Sequence, residues 1–187
     1  MLGLNVARLP YVSDEQAMPA ELVAAIRARR GGALLNLDRM LLHSPALARG
    51  WNAHLGAVRS GLALAPRLRE LAICAVARLT GAEYEFEQHL PMFLQAGGAA
   101  AAAEALTDVT AAAGDTLHFD AEERAALRLT LEMTRQVKVS EATFTAMRAA
   151  LGDERQLVEL VGVIATYNMV SRFLVALGVD SAGEPSG

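Results

Sequence analysis

The sequence predicts an all-α protein, and three observations support that prediction. Alanine, leucine, arginine, glutamate and methionine, the strong helix formers, dominate the chain. Apolar residues recur at helical spacing, and runs of β-branched residues are short. The chain has 187 residues, of which 53% are hydrophobic and 20% charged, so it is long and apolar enough to bury a sizeable core without disulfides or metal.

Prolines, glycines and capping residues mark the ends of the predicted helices. Pro19 opens the first helix, and the glycine pair after residue 30 ends it. Asp120 is an N-cap, and a glutamate three residues later completes a capping box. We expect helices at about residues 19–30, 36–43, 45–60, 66–79, 82–95, 100–113, 120–136, 140–151 and 153–178. The pattern predicts one domain over 19–179, with an extended arm at 1–18 and a flexible tail at 180–187.

The most informative segment is a pair of helices joined by a very short turn at Gly81. The first of them carries residues 71–77, which are apolar on all faces, so it should be buried on most sides. Because the connection is so short, the two helices must lie antiparallel and adjacent. Pro91 lies inside the second helix and is expected to bend it.

Charge and composition exclude several classes of partner. A net charge of −4 provides no basic excess for nucleic acid, and 5% aromatic residues make no stacking platform for single strands. The N-terminus lacks the cationic start and apolar core of a signal peptide. The most apolar stretch, 157–179, contains Glu159, Asn168 and Arg172, which a membrane span would have to bury. We therefore expect a cytoplasmic protein with neither a nucleic-acid nor a membrane partner.

Two glutamates and one histidine form the candidate site. Glu85 and His89 are four residues apart, on one face of the second hairpin helix. Glu70 lies on the first helix at a comparable distance from the turn, so it can face His89. Such a cluster can shuttle protons, because a histidine between carboxylates titrates near neutrality. A metal site formed by the same three residues is an alternative.

Each of these residues also has a structural interpretation. Glu70 is spaced to pair with Arg67 on a solvated edge of its helix. Glu85 lies in a run of alternating carboxylates, which is typical of an exposed surface. A single histidine is more often structural than catalytic. From the residues alone, the catalytic and the structural interpretations both stay open.

Residues other than these three give weaker signals. Cys74, in the apolar run, is expected to be a buried, inert thiol, and a single cysteine excludes both a disulfide framework and a CxxC centre. Arg172 lies four residues after Asn168 among apolar residues, so its burial would require a carboxylate partner or an anionic ligand. Tyr167 is one residue off that face and could reach a neighbouring chain.

The hairpin sequence resembles a known superfamily. Residues 68–70 (LRE), 81–89 (GAEYEFEQH) and 96–97 look like the core of the carboxymuconolactone decarboxylase and alkylhydroperoxidase D-like proteins. The peroxidase branch carries Glu … Cys-x-x-Cys-x-x-x-His. On this chain its glutamate falls on Glu70 and its histidine on His89, but its cysteines fall on Ala82 and Glu85. The tyrosine and glutamate before the histidine, and the close of the C-terminal helix, are similar to the decarboxylase-like branch.

The resemblance implies an AhpD-like fold and a cofactor-free carboxy-lyase related to 4-carboxymuconolactone decarboxylase. Its substrate would be a small carboxylated lactone or a related intermediate of aromatic-acid breakdown, with neither cofactor nor metal. His89 is expected to be the general acid or base and Glu70 to orient it. Glu85 is expected to hold the substrate or to adjust the pKa of His89.

The resemblance also bears on substrate contacts, on assembly and on redox chemistry. We assign Tyr84, Tyr167 and Arg172 to substrate binding. The apolar C-terminal helix and the resemblance together predict self-association as a trimer or hexamer. Without the two cysteines, thiol peroxidase activity is not expected. The alternative to an enzyme is an oligomeric binding or scaffold protein on the same fold.

Overall fold

The computed structural model of the chain describes residues 7–184. Their regular secondary structure is helical, with no β-strand among them. The helices are α1 (Ala20–Arg30), α2 (Asn36–Leu41), α3 (Pro45–Ser60), α4 (Pro66–Thr80), α5 (Glu83–Gln95), α6 (Ala100–Ala105), α7 (Val109–Ala112), α8 (Ala121–Gln136), α9 (Glu141–Leu151) and α10 (Glu154–Leu177). The predicted all-α class is confirmed. The first six residues of the predicted arm and the last three of the predicted tail lie outside the described residues.

The described residues group into two compact units, and the first comprises residues 7–61 and 174–184. In this unit α3 packs against both α1 and α2. The buried side-chain amide of Asn36 donates hydrogen bonds to the carbonyls of Asp180 and Ala182, at 2.8 and 3.0 Å. The described part of the predicted tail therefore has partners in α2. That a single domain spans 19–179 stays a prediction.

α4 is the centre of the second unit, residues 62–173. It packs against α5 and α8. Each of residues 71–77 is at most 1% exposed, as their all-round apolar character predicted. Burying one large apolar side chain contributes roughly 1.5–3 kcal/mol. This packing fixes α4 in place, and with it the glutamate and the cysteine that it carries.

The turn between α4 and α5 sets the register of the two helices. Gly81 adopts the left-handed conformation, with φ at 69°, which a glycine reaches without steric cost. The amides of Gly81 and Ala82 both donate to the carbonyl of Ala77 and close the end of α4. α5 then begins at Glu83 and continues through Pro91. The helices are thus adjacent, as the short connection predicted.

One predicted helix is divided in two. The sequence predicted a continuous helix over 100–113, but α6 ends at Ala105 and a 3-10 turn separates it from α7. The cause is Asp108, whose carboxylate accepts hydrogen bonds from the amides of Thr110 and Ala111, at 2.9 and 3.1 Å. An aspartate that caps a new helix start competes with continuation of the helix before it.

α10 is long and apolar enough to cross a membrane, judged by length and composition alone. Half of its most apolar segment is buried inside the fold, and a core helix passes the same test. Within the second unit the residues of α10 that are at most 1% exposed recur at helical spacing. They are Leu160, Val163, Ile164, Tyr167 and Ser171. The expectation that the protein has no membrane partner stays a prediction.

Candidate active site

Glu70 and His89 meet across the α4–α5 hairpin. Oε2 of Glu70 lies 2.7 Å from Nδ1 of His89, a hydrogen bond between two buried side chains. Glu70 is 1% exposed and His89 5%. The alternative pairing of Glu70 with Arg67 on a solvated edge is wrong, because Arg67 binds Glu123 at 2.7 Å instead.

Arg69 completes the set of partners of Glu70. Its Nε donates to Oε1 of Glu70 at 3.0 Å, so each carboxylate oxygen holds one partner. Burial raises the pKa of Glu70, but the hydrogen bonds and positive charges of His89 and Arg69 outweigh that effect, and the pKa lies below its ordinary value. Glu70 is therefore ionised at neutral pH.

Glu85 has the opposite environment. It is 2% exposed, whereas Glu83 and Glu87, two residues before and after it, are exposed. Only part of this run of carboxylates therefore lies on the surface. The hydroxyl of Ser171 donates to Oε2 of Glu85. Oε1 is buried and has no hydrogen-bond partner within residues 7–184. Burial raises the pKa of Glu85 to about 8, against the smaller lowering effect of the Ser171 bond. Glu85 is thus mainly a neutral acid at pH 7.

α10 closes the site from a third helix. The ring of Tyr167 stands edge-to-face on the imidazole of His89, with centroids 4.9 Å apart and an interplanar angle of 87°. Tyr167 is 1% exposed, so the expectation that it reaches a neighbouring chain is wrong. The side chain points into its own fold because it packs on His89. Together with Ser171, it brings α10 to the face of α5 that carries Glu85 and His89, called the acid–base face below.

The other two residues assigned to substrate binding have different surroundings. Tyr84 is buried, beside Glu85 in the chain. Arg172 is exposed, and its Nη1 donates to the carbonyl and side-chain oxygens of Asn168, at 2.8 and 2.7 Å. Because Arg172 is not buried, the guanidinium does not require the carboxylate partner or anionic ligand that burial would have demanded. A substrate contact for either residue stays a prediction.

Cys74 lies in the core beside the two glutamates. It is fully buried. Burial, and then the charges of Glu70 and Glu85, raise the pKa of its thiol to about 12. A thiol with so high a pKa carries almost no thiolate at neutral pH, so the expected inertness follows from its surroundings.

Two surface pockets of the second unit lie elsewhere. One, of about 250 Å³, is lined by Arg78, Phe86 and Leu90 among others, and the other, of about 120 Å³, by Arg67 and Asp120 among others. Neither pocket is lined by Glu70, Glu85 or His89. Within the described part of the chain, no group of three or more His, Cys, Asp or Glu residues is placed to hold a metal ion.

Sequence reasoning missed Arg69 and Ser171. Arg69 stands next to Glu70, and neighbours in a helix point about 100° apart, so no spacing rule indicates their bond. Ser171 lies 86 residues from Glu85, and only the packing of α10 brings them together. The one available signal was that Ser171 is among the few polar residues of the mainly apolar α10.

Comparisons with known proteins give a family match over part of the chain and a shared fold. Residues 45–132 match the Carboxymuconolactone decarboxylase family. A comparison with curated proteins finds no matching sequence. A solved structure of an uncharacterized peroxidase-related protein from Silicibacter sp. TM1040 is 19% identical, with a TM-score of 0.78 over 97% of both chains.

Two further solved structures share the fold. A peroxidase-related protein with an alkylhydroperoxidase AhpD core, from Ralstonia eutropha JMP134, is 20% identical, with a TM-score of 0.79 over 95% of this chain and 93% of its own. A variant of the debrominase Bmp8, in complex with 2,3,4-tribromopyrrole, is 16% identical, with a TM-score of 0.73 over 97% of this chain and 94% of its own. The resemblance inferred from the sequence is therefore confirmed: the chain matches the carboxymuconolactone decarboxylase family over residues 45–132 and has the all-helical AhpD-like fold.

Proposed function

We propose that this protein is a cofactor-free carboxy-lyase that acts on a small carboxylated lactone or a related intermediate of aromatic-acid breakdown. One observation carries the proposal: Glu70 and Glu85 are both buried, Glu70 bound to His89 and Glu85 one helical turn before it, with the pKa of Glu70 lowered and that of Glu85 raised to about 8. Titratable groups whose pKa values are driven apart in one site are suited to act as base and acid. The family match favours decarboxylation among the reactions that such a pair can catalyse.

The proposed reaction needs one proton at carbon. The bond between the substrate carbon and its carboxylate breaks, CO₂ leaves, and the electron pair is taken up as an enolate conjugated with the lactone carbonyl. Glu85 then protonates that carbon. Glu70 holds His89 at Nδ1, and in the proposed cycle His89 returns a proton to Glu85, one helical turn earlier on α5.

The site does not support thiol peroxidase chemistry. Ala82 and Glu85 stand at the two positions where the peroxidase branch carries cysteines. Cys74 is buried, its thiol pKa is raised to about 12, and the sequence supplies no second cysteine to resolve an oxidised one.

Release of CO₂ from a panel of carboxylated lactones and small β-keto acids tests the proposal. We expect turnover of at least one compound, and a loss of roughly 10²-fold or more in Glu85→Gln, which keeps the size of the side chain but not its acid. Glu83→Gln, an exposed change two residues away, is the matched control and should be silent. Equal turnover in the Glu85→Gln and Glu83→Gln variants would contradict the proposed acid.

A binding or scaffold protein on the same fold is the second candidate. The observation that favours it is that Glu70 is satisfied by His89 and Arg69 and that this group lines neither of the two surface pockets described above. A purely structural cluster predicts that Glu70→Gln lowers the free energy of unfolding while no compound of the panel is turned over by the unaltered protein. Turnover that depends on His89 would exclude this candidate.

A further inference from the structure

Ser171 is a buried hydroxyl placed opposite Glu85. It is fully buried on α10 and donates to Oε2 of the glutamate. One helical turn earlier on the same helix, Tyr167 packs on His89, which is one turn after Glu85 on α5. The two contacts run in antiparallel order, so α10 holds both ends of the acid–base face of α5.

The Ser171 bond decides which oxygen of Glu85 carries the proton. In a neutral carboxyl group the carbonyl oxygen is the stronger hydrogen-bond acceptor, and the other oxygen bears the hydrogen. Because Ser171 donates to Oε2, Oε2 is the acceptor and the proton lies on Oε1. Oε1 is buried and has no hydrogen-bond partner among the described residues, so no protein group competes there for that proton.

We propose that Ser171 is a positioning residue, which holds the carboxyl group of Glu85 so that Oε1 presents the proton to be transferred. This inference rests on the proposed function, because it takes Glu85 as the acid that protonates the substrate carbon. Ser171 itself touches neither substrate nor reacting atoms in this account. It acts through the orientation of one carboxyl group.

Two groups of α4 that lie near Glu85 keep their charge across the relevant pH range. From α4, Glu70 is ionised and Cys74 is a neutral thiol, since its pKa is about 12. His89 is the titratable neighbour on the same helix, and its partner Glu70 is not altered by a change at Ser171. A change at Ser171 should therefore act on the titration of Glu85.

Carbon-13 NMR of carboxyl-labelled glutamate in the full chain measures that titration directly, and Glu85→Gln identifies the resonance. Ser171→Ala removes a hydrogen bond that favours the charged form, so the midpoint should rise by roughly one pH unit from about 8. Ser171→Thr keeps the hydroxyl and should keep the midpoint. Thr130→Val removes another fully buried hydroxyl, bonded to a carbonyl of α8, and is the matched control.

A second variant keeps the test decisive if Ser171→Ala does not fold. Ser171→Cys retains the volume but offers a weaker donor, so it should raise the midpoint in the same direction. With a substrate identified, the alkaline limb of the kcat/KM profile should move by the same amount as the midpoint.

The outcomes separate this inference from the proposed function. A midpoint that stays unchanged in a folded Ser171→Ala or Ser171→Cys protein overturns the positioning role, whatever the activity. A midpoint that rises while Glu85→Gln keeps full turnover supports the hydrogen-bond assignment but refutes Glu85 as the acid, so the positioning role fails although the carboxy-lyase activity stands. A midpoint that rises in a protein that turns over no compound of the panel refutes the proposed function.

Discussion

The buried acid Glu85 should make the stability of this protein fall as the pH rises through neutrality. Burial raises the pKa of Glu85 from its ordinary 4.5 to about 8 in the folded state. Above about pH 4.5 the unfolded chain releases this proton, while the folded protein keeps it up to about pH 8. Ionisation thus favours unfolding throughout that window. Replacing Glu85 by glutamine, a neutral side chain of the same shape, removes the dependence.

The size of the effect follows from the two pKa values. One unit of pKa difference corresponds to about 1.4 kcal/mol, so the raised pKa of Glu85 costs about 5 kcal/mol of folding free energy above pH 8. Part of that cost, about 1 kcal/mol, is already present at pH 5. The stability difference between Glu85→Gln and the unaltered protein should therefore grow by about 3 to 4 kcal/mol between pH 5 and pH 8. This is a large share of the 5–15 kcal/mol typical of a folded protein.

Urea unfolding followed by circular dichroism, at several pH values for both proteins, measures this difference. Subtracting the two curves removes the titration of groups that the proteins share. Glu83→Gln, an exposed change on the same helix, should give a curve parallel to that of the unaltered protein. If the difference between Glu85→Gln and the unaltered protein does not change with pH, Glu85 is not a buried neutral acid and the assignment of acid and base is wrong.

Three further predictions concern the site and the assembly. Glu70→Gln and His89→Asn should each lower turnover by roughly 10²-fold, and the double change should cost little more than the worse single one, whereas effects that multiply would contradict a shared unit. Reduction of alkyl hydroperoxides with dithiol donors should not exceed the buffer rate, and a rate that Cys74→Ser abolishes would overturn this. Light scattering at micromolar concentration should show a trimer or hexamer. Met169→Glu should shift the protein toward a monomer, because Met169 and Val158 are apolar and 42% and 70% exposed on α10. A monomeric mass for the unaltered chain would refute the association.

Sequence signals such as helix caps predicted the helices well, because each signal depends on only a few neighbouring residues. The capping box at Asp120 and Glu123 forms as expected, and the predicted helix near residue 140 begins after the N-cap Ser140. The break at Asp108 was missed because alanine-rich flanks favour a continuous helix, while one capping side chain decides otherwise. Propensity sums over many residues, whereas a cap acts at a single position.

Only the contacts of the candidate site that lie within the α4–α5 hairpin could be predicted from the sequence. A turn of fixed length sets the register of two helices, so Glu70 and His89 could be expected to face each other. The contacts of α10 depend on packing over a separation of 86 residues between Ser171 and Glu85, and no spacing rule reaches that far. The exposure of Arg172 was missed for the same reason, since apolar neighbours in sequence do not establish which face of a helix is buried.

The two glutamates of the site do not carry equal weight as evidence for a function. Glu70 has a partner on each oxygen, and a buried carboxylate satisfied in this way is compatible with a structural role. Glu85 is different, because Oε1 lacks a hydrogen-bond partner within residues 7–184 and its raised pKa means that the fold works against its ionisation. An apolar side chain of similar size would avoid that cost, and features that weaken a core without local compensation are expected at functional sites. Glu85 is therefore the residue on which an enzymatic function most depends, and Glu85→Gln should stabilise the protein at pH 7 while removing its activity.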